Sequence, residues 1–345
     1  MTPRLRLVLG LLLAATVVGF LVNLTLGSVA IPLGEVVRIV LHHESEQTAW
    51  LFIVEKIRIP KACTAVLVGW GLSVSGLQMQ TLFRNPLAGP SELGITAGAG
   101  LGVAAVMLGS GSVTSLYAIR QLGLSGSWLI VGMASLGSAL VLGLVLLIAG
   151  RLRDHVVLLL VGVMVGTITF SVISIWQYFS QPEQIQEYLL WTFGSLGSVL
   201  GSHLYVLAGV VMLGLVLAFA SSKALNALLL GEAYARSMGL TVRRARTLII
   251  ASTSLLTGSI TAFCGPIGFI GIAVPHLTRS LLGTSNHRIL IPANGLIGSL
   301  LMLGCDSIAQ LPGTQSILPI NVVTSLLGAP VVIWMIVSRH KSVFV

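Results

Sequence analysis

The chain has 345 residues, of which 55% are hydrophobic and only 8% charged, and its mean hydropathy is +0.99. Soluble domains carry about 25% charged residues, so an ordinary soluble fold and a disordered chain are both excluded, and the apolar surplus points to helices packed in a bilayer. The formal charge of +9 raises nucleic acid as a partner, but basic residues in a membrane protein more often mark its cytoplasmic loops.

Apolar runs bounded by charges, Pro or Gly predict ten spans, at about 7–27, 62–82, 93–110, 128–149, 156–178, 204–221, 247–264, 268–282, 289–309 and 319–338. The first follows Arg4 and Arg6 as a signal peptide would, but its apolar part is long and lacks a convincing cleavage site, so it reads as a span. The eighth is short, with Gly265-Pro266-Ile267-Gly268 before it and Pro275 within it, which marks a broken or re-entrant helix. A second Gly/Pro-rich turn, Asn85-Pro86-Leu87-Ala88-Gly89-Pro90, punctuates the first half, and paired interruptions are what an inverted-topology repeat produces. The fold class is therefore all-α and polytopic, one transmembrane domain over 1–345.

Placing the N-terminus in the cytoplasm puts fourteen Lys and Arg on the inner side, Arg84, Arg151, Arg153 and Arg236 among them, against five outside: Arg38, Lys56, Arg58, Lys61 and Arg120. Both termini are then cytoplasmic, and the basic excess is topological, so no nucleic acid is needed to explain it. Cys63, Cys264 and Cys305 are odd in number, sit in apolar runs without metal-ligand spacing, and read as packing residues. His42, His43 and His276 likewise lack metal-site spacing. No nucleophile and base pair within the apolar runs, so no catalytic residue is assigned.

The most informative polar stretch is the inner loop at about 222–246. Gly231 and Gly239 bracket a short helix with Glu232 in its first turn and Arg236 near its last, as the helix dipole prefers. Leu225, Leu228 and Leu229 precede it. A short helix with apolar residues at the membrane surface either docks in a groove of a cytoplasmic motor subunit or lies on lipid, and the residues alone leave both open. Asp306 is the one acid placed clearly within a span, and a structural hydrogen bond is its expected role.

An ordered series of motifs is similar to the FecCD-type permeases of iron-chelate, haem and cobalamin importers. It runs through Arg58-Ile59-Pro60-Lys61, Gln78-Met79-Gln80, the Asn85–Pro90 turn, Gly231-Glu232 to Gly239, Gly265 to Gly271, Pro275-His276, His287-Arg288, Leu318-Pro319-Ile320 and Gly328-Ala329-Pro330. The resemblance implies a cobalamin-permease-like fold in the bacterial inner membrane. It also implies a homodimer bound to two cytoplasmic ATPase subunits and fed with a metal chelate by a periplasmic binding protein. Gly231, Glu232, Ala235, Arg236 and Gly239 would couple to the ATPase, Arg58 and Lys61 would dock the binding protein or else anchor a helix end, and Asn85 and Leu87 would close an inner gate. Lys61 stands where Arg is usual, Gln310 where some relatives have Arg, and His155-Val156 where cobalamin-type members have hydroxyl residues. ATP and Mg would be used by the partners, since this chain has no Gly-rich phosphate loop with a Lys. An ion-coupled secondary transporter is the alternative class, disfavoured because Asp306 is nearly alone as an intramembrane ionisable residue.

Overall fold

The computed structural model describes residues 3–109, 126–149, 155–310 and 317–341, and these are helices joined by turns. In chain order the helices are α1 (Pro3–Thr25), α2 (Leu33–His42), α3 (Thr48–Phe52), α4 (Ile59–Leu82), α5 (Ile95–Met107), α6 (Gly126–Ala149), α7 (His155–Phe179) and α8 (Pro182–Thr192). They continue with α9 (Ser202–Ala220), α10 (Ser222–Leu229), α11 (Glu232–Ser237), α12 (Val242–Cys264), α13 (Ile270–Leu282), α14 (His287–Ala309) and α15 (Ile320–Lys341). A π-helical turn, Ile53–Arg58, leads into α4, and a 3-10 turn, Pro90–Leu93, leads into α5. Arg120, Arg151 and Arg153 lie outside the described residues, as do the side chains of His155 and Val156.

Each of the ten predicted spans coincides with a helix: α1, α4 to α7, α9 and α12 to α15. Of the other five helices, α10 and α11 fall in the inner loop at about 222–246, and three had no counterpart in the sequence reading. α2 has ten residues, follows Pro32 and ends at His43 in the left-handed region (φ 56°), too short to cross a bilayer. α3 is a single short turn of five residues. α8 starts with Pro182 and a reciprocal cap between Gln181 and Gln184, signals that a search for apolar runs passes over.

Burial separates an inner group of helices from an outer one. α1, α6, α7, α9, α12 and α14 are each long and apolar enough to span, but α12 and α14 are 72% and 61% buried over their apolar windows, against 17% to 33% for the other four. α4 is the axis of the inner group: it packs against α9, α12, α13 and α14 and buries Ser73, Ser75, Gln78, Gln80 and Thr81 along with its apolar residues. Polar side chains at this depth are tolerated because they bond across helices, not to lipid. Gln78 Oε1 accepts from the Ser252 and Thr253 hydroxyls at 3.2 and 3.1 Å, and the Ser73 hydroxyl donates to the Asn294 carbonyl at 2.9 Å.

Backbone approach at glycine makes these contacts geometrically available. A Cβ on Gly69 of α4 would stand 2.3 Å from the Gly298 carbonyl oxygen of α14, and one on Gly76 would stand 1.8 Å from that of Gly271 in α13. Both are far inside van der Waals contact, so only glycine lets these helices touch.

The two halves share an order of elements. α4 (24 residues) is followed by a break and the 13-residue α5, and α12 (23 residues) by a break and the 13-residue α13. The breaks meet beside Leu72, midway along α4, where Pro90, Ser91, Gly268, Phe269 and Gly271 help line a cavity of about 150 Å³.

Candidate functional site

The segment α10–α11 lies past the C-terminal end of α4 and is held there from below. Leu225, Leu228 and Ala235 are buried in one cluster with Met79, Leu82, Phe83, Val242 and Ile249. Arg84 Nη2 donates to the Leu228 carbonyl at 3.1 Å. Gly231 (φ 114°) and Gly239 (φ 83°) turn the chain on either side of α11 through backbone angles that side-chain-bearing residues rarely adopt. At Gly231 a Cβ would also stand 3.0 Å from Arg84 Nη2, while at Gly239 it would meet nothing, so the constraint there is conformational alone.

Glu232 joins two arginines. Its Oε1 takes a 2.8 Å ion pair with Arg246 of α12, which is buried, and its Oε2 a 3.3 Å pair with the exposed Arg236. Arg246 counted in the sequence only as one more inner positive charge, because its reach back to Glu232, fourteen residues earlier, has no local signature. With Glu232, Ala235 and the glycines facing or shaping the bundle side, Leu230, Tyr234 and Met238 are left exposed at four-residue spacing. The result is a stiff element, bonded to the bundle below and apolar on its outer side.

Asn85 and Leu87 lie next to this segment, in the turn after α4. The Asn85 side chain makes the turn itself, its Oδ1 accepting from the Leu87 N–H at 2.9 Å, and Leu87 is exposed. Gln80, one turn earlier, donates to the Ile272 carbonyl at 3.0 Å and accepts from Arg279 at 2.8 Å, so the turn is tied to α13. At the other break Phe269 takes φ 66°, a region costly for a bulky side chain. It is held where Gly328 of α15 leaves room, since a Cβ there would sit 2.4 Å from the Phe269 Cβ. Nearby, Asn321 Oδ1 accepts from the Gly268 N–H at 3.1 Å and the Asn321 N–H donates to the Phe193 carbonyl at 3.2 Å, joining α8, α15 and the break.

Arg58 and Lys61 mark the opposite end of α4 and are both turned inward. Arg58 is 7% exposed and donates to the Leu24 carbonyl at 2.7 Å and to the Val29 carbonyl, which fastens the C-terminus of α1. Burial draws its pKa down, though a guanidinium remains charged. Lys61 Nζ stands 2.9 Å from Asp306 Oδ1, and Asp306 Oδ2 accepts from Asn23 at 3.0 Å and Gln310 at 2.7 Å. Both carboxylate oxygens of Asp306 are therefore engaged, in a buried joint between α1, α4 and α14. In this conformation the two basic residues anchor a helix end, one of the two roles their sequence context allowed.

The FecCD transport family model matches residues 15–338. The vitamin B12 import system permease protein BtuC of Salmonella typhimurium (strain LT2) is 37% identical over 288 residues, covering 83% of this chain and 84% of that protein. Its counterpart from Klebsiella pneumoniae is 38% identical over 282 residues, 81% of each chain. A solved structure described as an inward-facing conformation of a metal-chelate type ABC transporter superposes with a TM-score of 0.82 at 26% identity, covering 96% of this chain and 99% of that one. A match over almost the whole length, on a fold whose two breaks and bracketed surface helix lie where the motifs place them, makes this chain a member of the FecCD transport family.

Proposed function

We propose that the chain is the permease subunit of an ATP-binding-cassette importer that carries a bulky metal chelate from periplasm to cytoplasm. The observation that carries the coupling part is the α10–α11 segment, braced below by Arg84 and Arg246 and apolar above at Leu230, Tyr234 and Met238. Lipid alone does not require a surface helix to be braced by a buried ion pair and a bond to its backbone, whereas transmission of force from a motor subunit does. On this reading the segment faces the cytoplasm, both termini lie on that side as the positive-inside rule favours, and the protein sits in the bacterial inner membrane. Two copies pair around a central pathway, with the exposed Leu160, Met164 and Ile168 of α7 on its wall. Two partner ATPase subunits use ATP and Mg, and a periplasmic binding protein delivers cargo. Asn85 and Leu87 close the inner end. Docking through Arg58 or Lys61 would require either residue to leave its present bonds.

The cargo is an iron-siderophore, haem or cobalamin. The names of the curated relatives favour cobalamin within that class. An apolar wall offers a large chelate few strong contacts and so does not trap it. The ion-coupled alternative needs a carboxylate free to exchange an ion, and Asp306 has both oxygens committed. Binding of each candidate chelate to the cognate binding protein identifies the cargo, since that subunit selects before the permease does. Uptake into proteoliposomes then tests the coupling: substitution of Gly239 and Arg236 together abolishes uptake, and unchanged uptake by that double variant overturns the assignment.

A further inference from the structure

The α10–α11 segment is connected to the spans by a polar chain that runs from Asn226 through His287 to Thr81. His287, the first residue of α14, is fully buried. Its backbone N–H donates to Asn226 Oδ1 at 2.9 Å, and its Nδ1 lies 2.8 Å from the same oxygen. Asn226 Nδ2 in turn donates to Asn286 Oδ1 at 3.1 Å, which also accepts the Arg288 N–H at 3.1 Å as the cap of α14. On the far side of the ring, Nε2 meets the Thr81 hydroxyl of α4 at 2.8 Å, and that hydroxyl is also 2.8 Å from the Leu77 carbonyl.

Backbone groups fix the orientation of Asn286, Asn226 and His287. The Arg288 N–H can only donate, so Asn286 turns its oxygen to it, and Asn226 must present its NH2 to that oxygen. The oxygen of Asn226 then faces His287, where the backbone N–H independently requires it. An amide oxygen only accepts, so Nδ1 carries the ring proton, and the acceptor Nε2 of the neutral ring shares the single Thr81 hydroxyl proton with the Leu77 carbonyl. Neither Asn226 nor His287 can rotate without breaking a bond at the buried ring, which makes that part of the chain stiff.

We propose that Asn226, His287 and Thr81 form the joint through which displacement of α10–α11 is passed to α14 and to α4, and so to the Asn85–Leu87 turn four to six residues beyond Thr81. The apolar contacts of Leu225 and Leu228 hold the segment against the bundle but can slide; the polar chain sets its register. His287 acts as a positioning residue and touches no cargo. The proposal rests on the coupling reading above, and its test is chosen to separate the two.

The test uses the complete complex in proteoliposomes, with a single cysteine at Leu87→Cys, after replacement of the three native cysteines, and a maleimide as probe. The labelling rate is compared between nucleotide-free and ATP-vanadate states, so no cargo need be known. In the parent protein the two rates differ by about fivefold or more, the usual lower range for coupled sites. In Asn226→Ala or His287→Ala the ratio falls to near one while partner ATP hydrolysis continues, a split that simple loss of folding does not produce. Thr81→Val, which keeps the side-chain shape and removes only the hydroxyl, gives an intermediate ratio and decides the matter if the alanine variants fail to assemble. A ratio in all three variants equal to the parent's overturns the joint. A ratio of one in the parent itself overturns the coupling reading on which it stands.

Discussion

Replacing Lys61 by Met is the sharpest test of what the basic residues at the α1 end of α4 do. The change keeps the aliphatic stem and removes the charge 2.9 Å from Asp306, whose side chain is 2% exposed. Breaking one partner of a buried ion pair costs about 3–5 kcal/mol, and the low end, about 3 kcal/mol, applies because Asn23 and Gln310 still donate to the carboxylate and Lys61 is itself 16% exposed. Asp306→Asn on top of Lys61→Met removes the stranded charge at nearly constant volume and should return the protein to within about 1 kcal/mol of the parent, giving a coupling energy of about 2 kcal/mol plus whatever Asp306→Asn costs alone. Reversible unfolding in mixed micelles, run on the parent, both single variants and the double variant, measures it. A docking role predicts the opposite pattern, in which Lys61→Met leaves stability alone and weakens affinity for the binding protein. Single variants that each lose under about 0.5 kcal/mol and add without interaction would refute the structural account.

Arg58→Ala strands the Leu24 and Val29 carbonyls and should cost about 2 kcal/mol, with proteolysis near residues 25–30 as the local readout; Arg58→Lys recovers only part, since an ammonium lacks the fork. Gly298→Ala drives a methyl group to 2.3 Å from the Gly69 oxygen and should lose about 2 kcal/mol or more, whereas Gly143→Ala, with nothing within 4 Å, should leave the melting temperature unchanged. Arg246→Ala should lower stability by about 2 kcal/mol because it strips a buried pair from Glu232, and Arg236→Ala by no more than about 0.5 kcal/mol because that pair is exposed. Thermal unfolding of the two arginine variants side by side checks the order, and the reverse ranking would contradict it.

The positions of the spans were legible because the bilayer demands about 20 apolar residues per crossing, whatever the fold. The broken helices were legible for a related reason: Gly/Pro runs such as Gly265 to Gly268 have no other use at membrane depth than to interrupt a helix that protein, not lipid, surrounds. Bounds of α11 followed from its flanking glycines, both at positive φ. What stayed hidden depends on partners distant in sequence. Arg246 and Glu232 are fourteen residues apart, Lys61 and Asp306 two hundred and forty-five, and neither pair has a spacing that a helix or strand would display.

The polar residues of α4 show the same division more sharply. Ser73, Ser75, Gln78, Gln80 and Thr81 occupy successive directions around the helix, so no single face is polar and no amphipathic pattern forms. Surrounded by α9, α12, α13 and α14, the helix instead bonds to three of these neighbours: Ser73 and Thr81 to α14, Gln78 to α12 and Gln80 to α13. A helix at the centre of a bundle has no outside, and polarity without periodicity is what such a position requires. That distribution also explains how one helix can receive a push from α14 at its Thr81 end and pass it to α12 and α13, to which Gln78 and Gln80 bond.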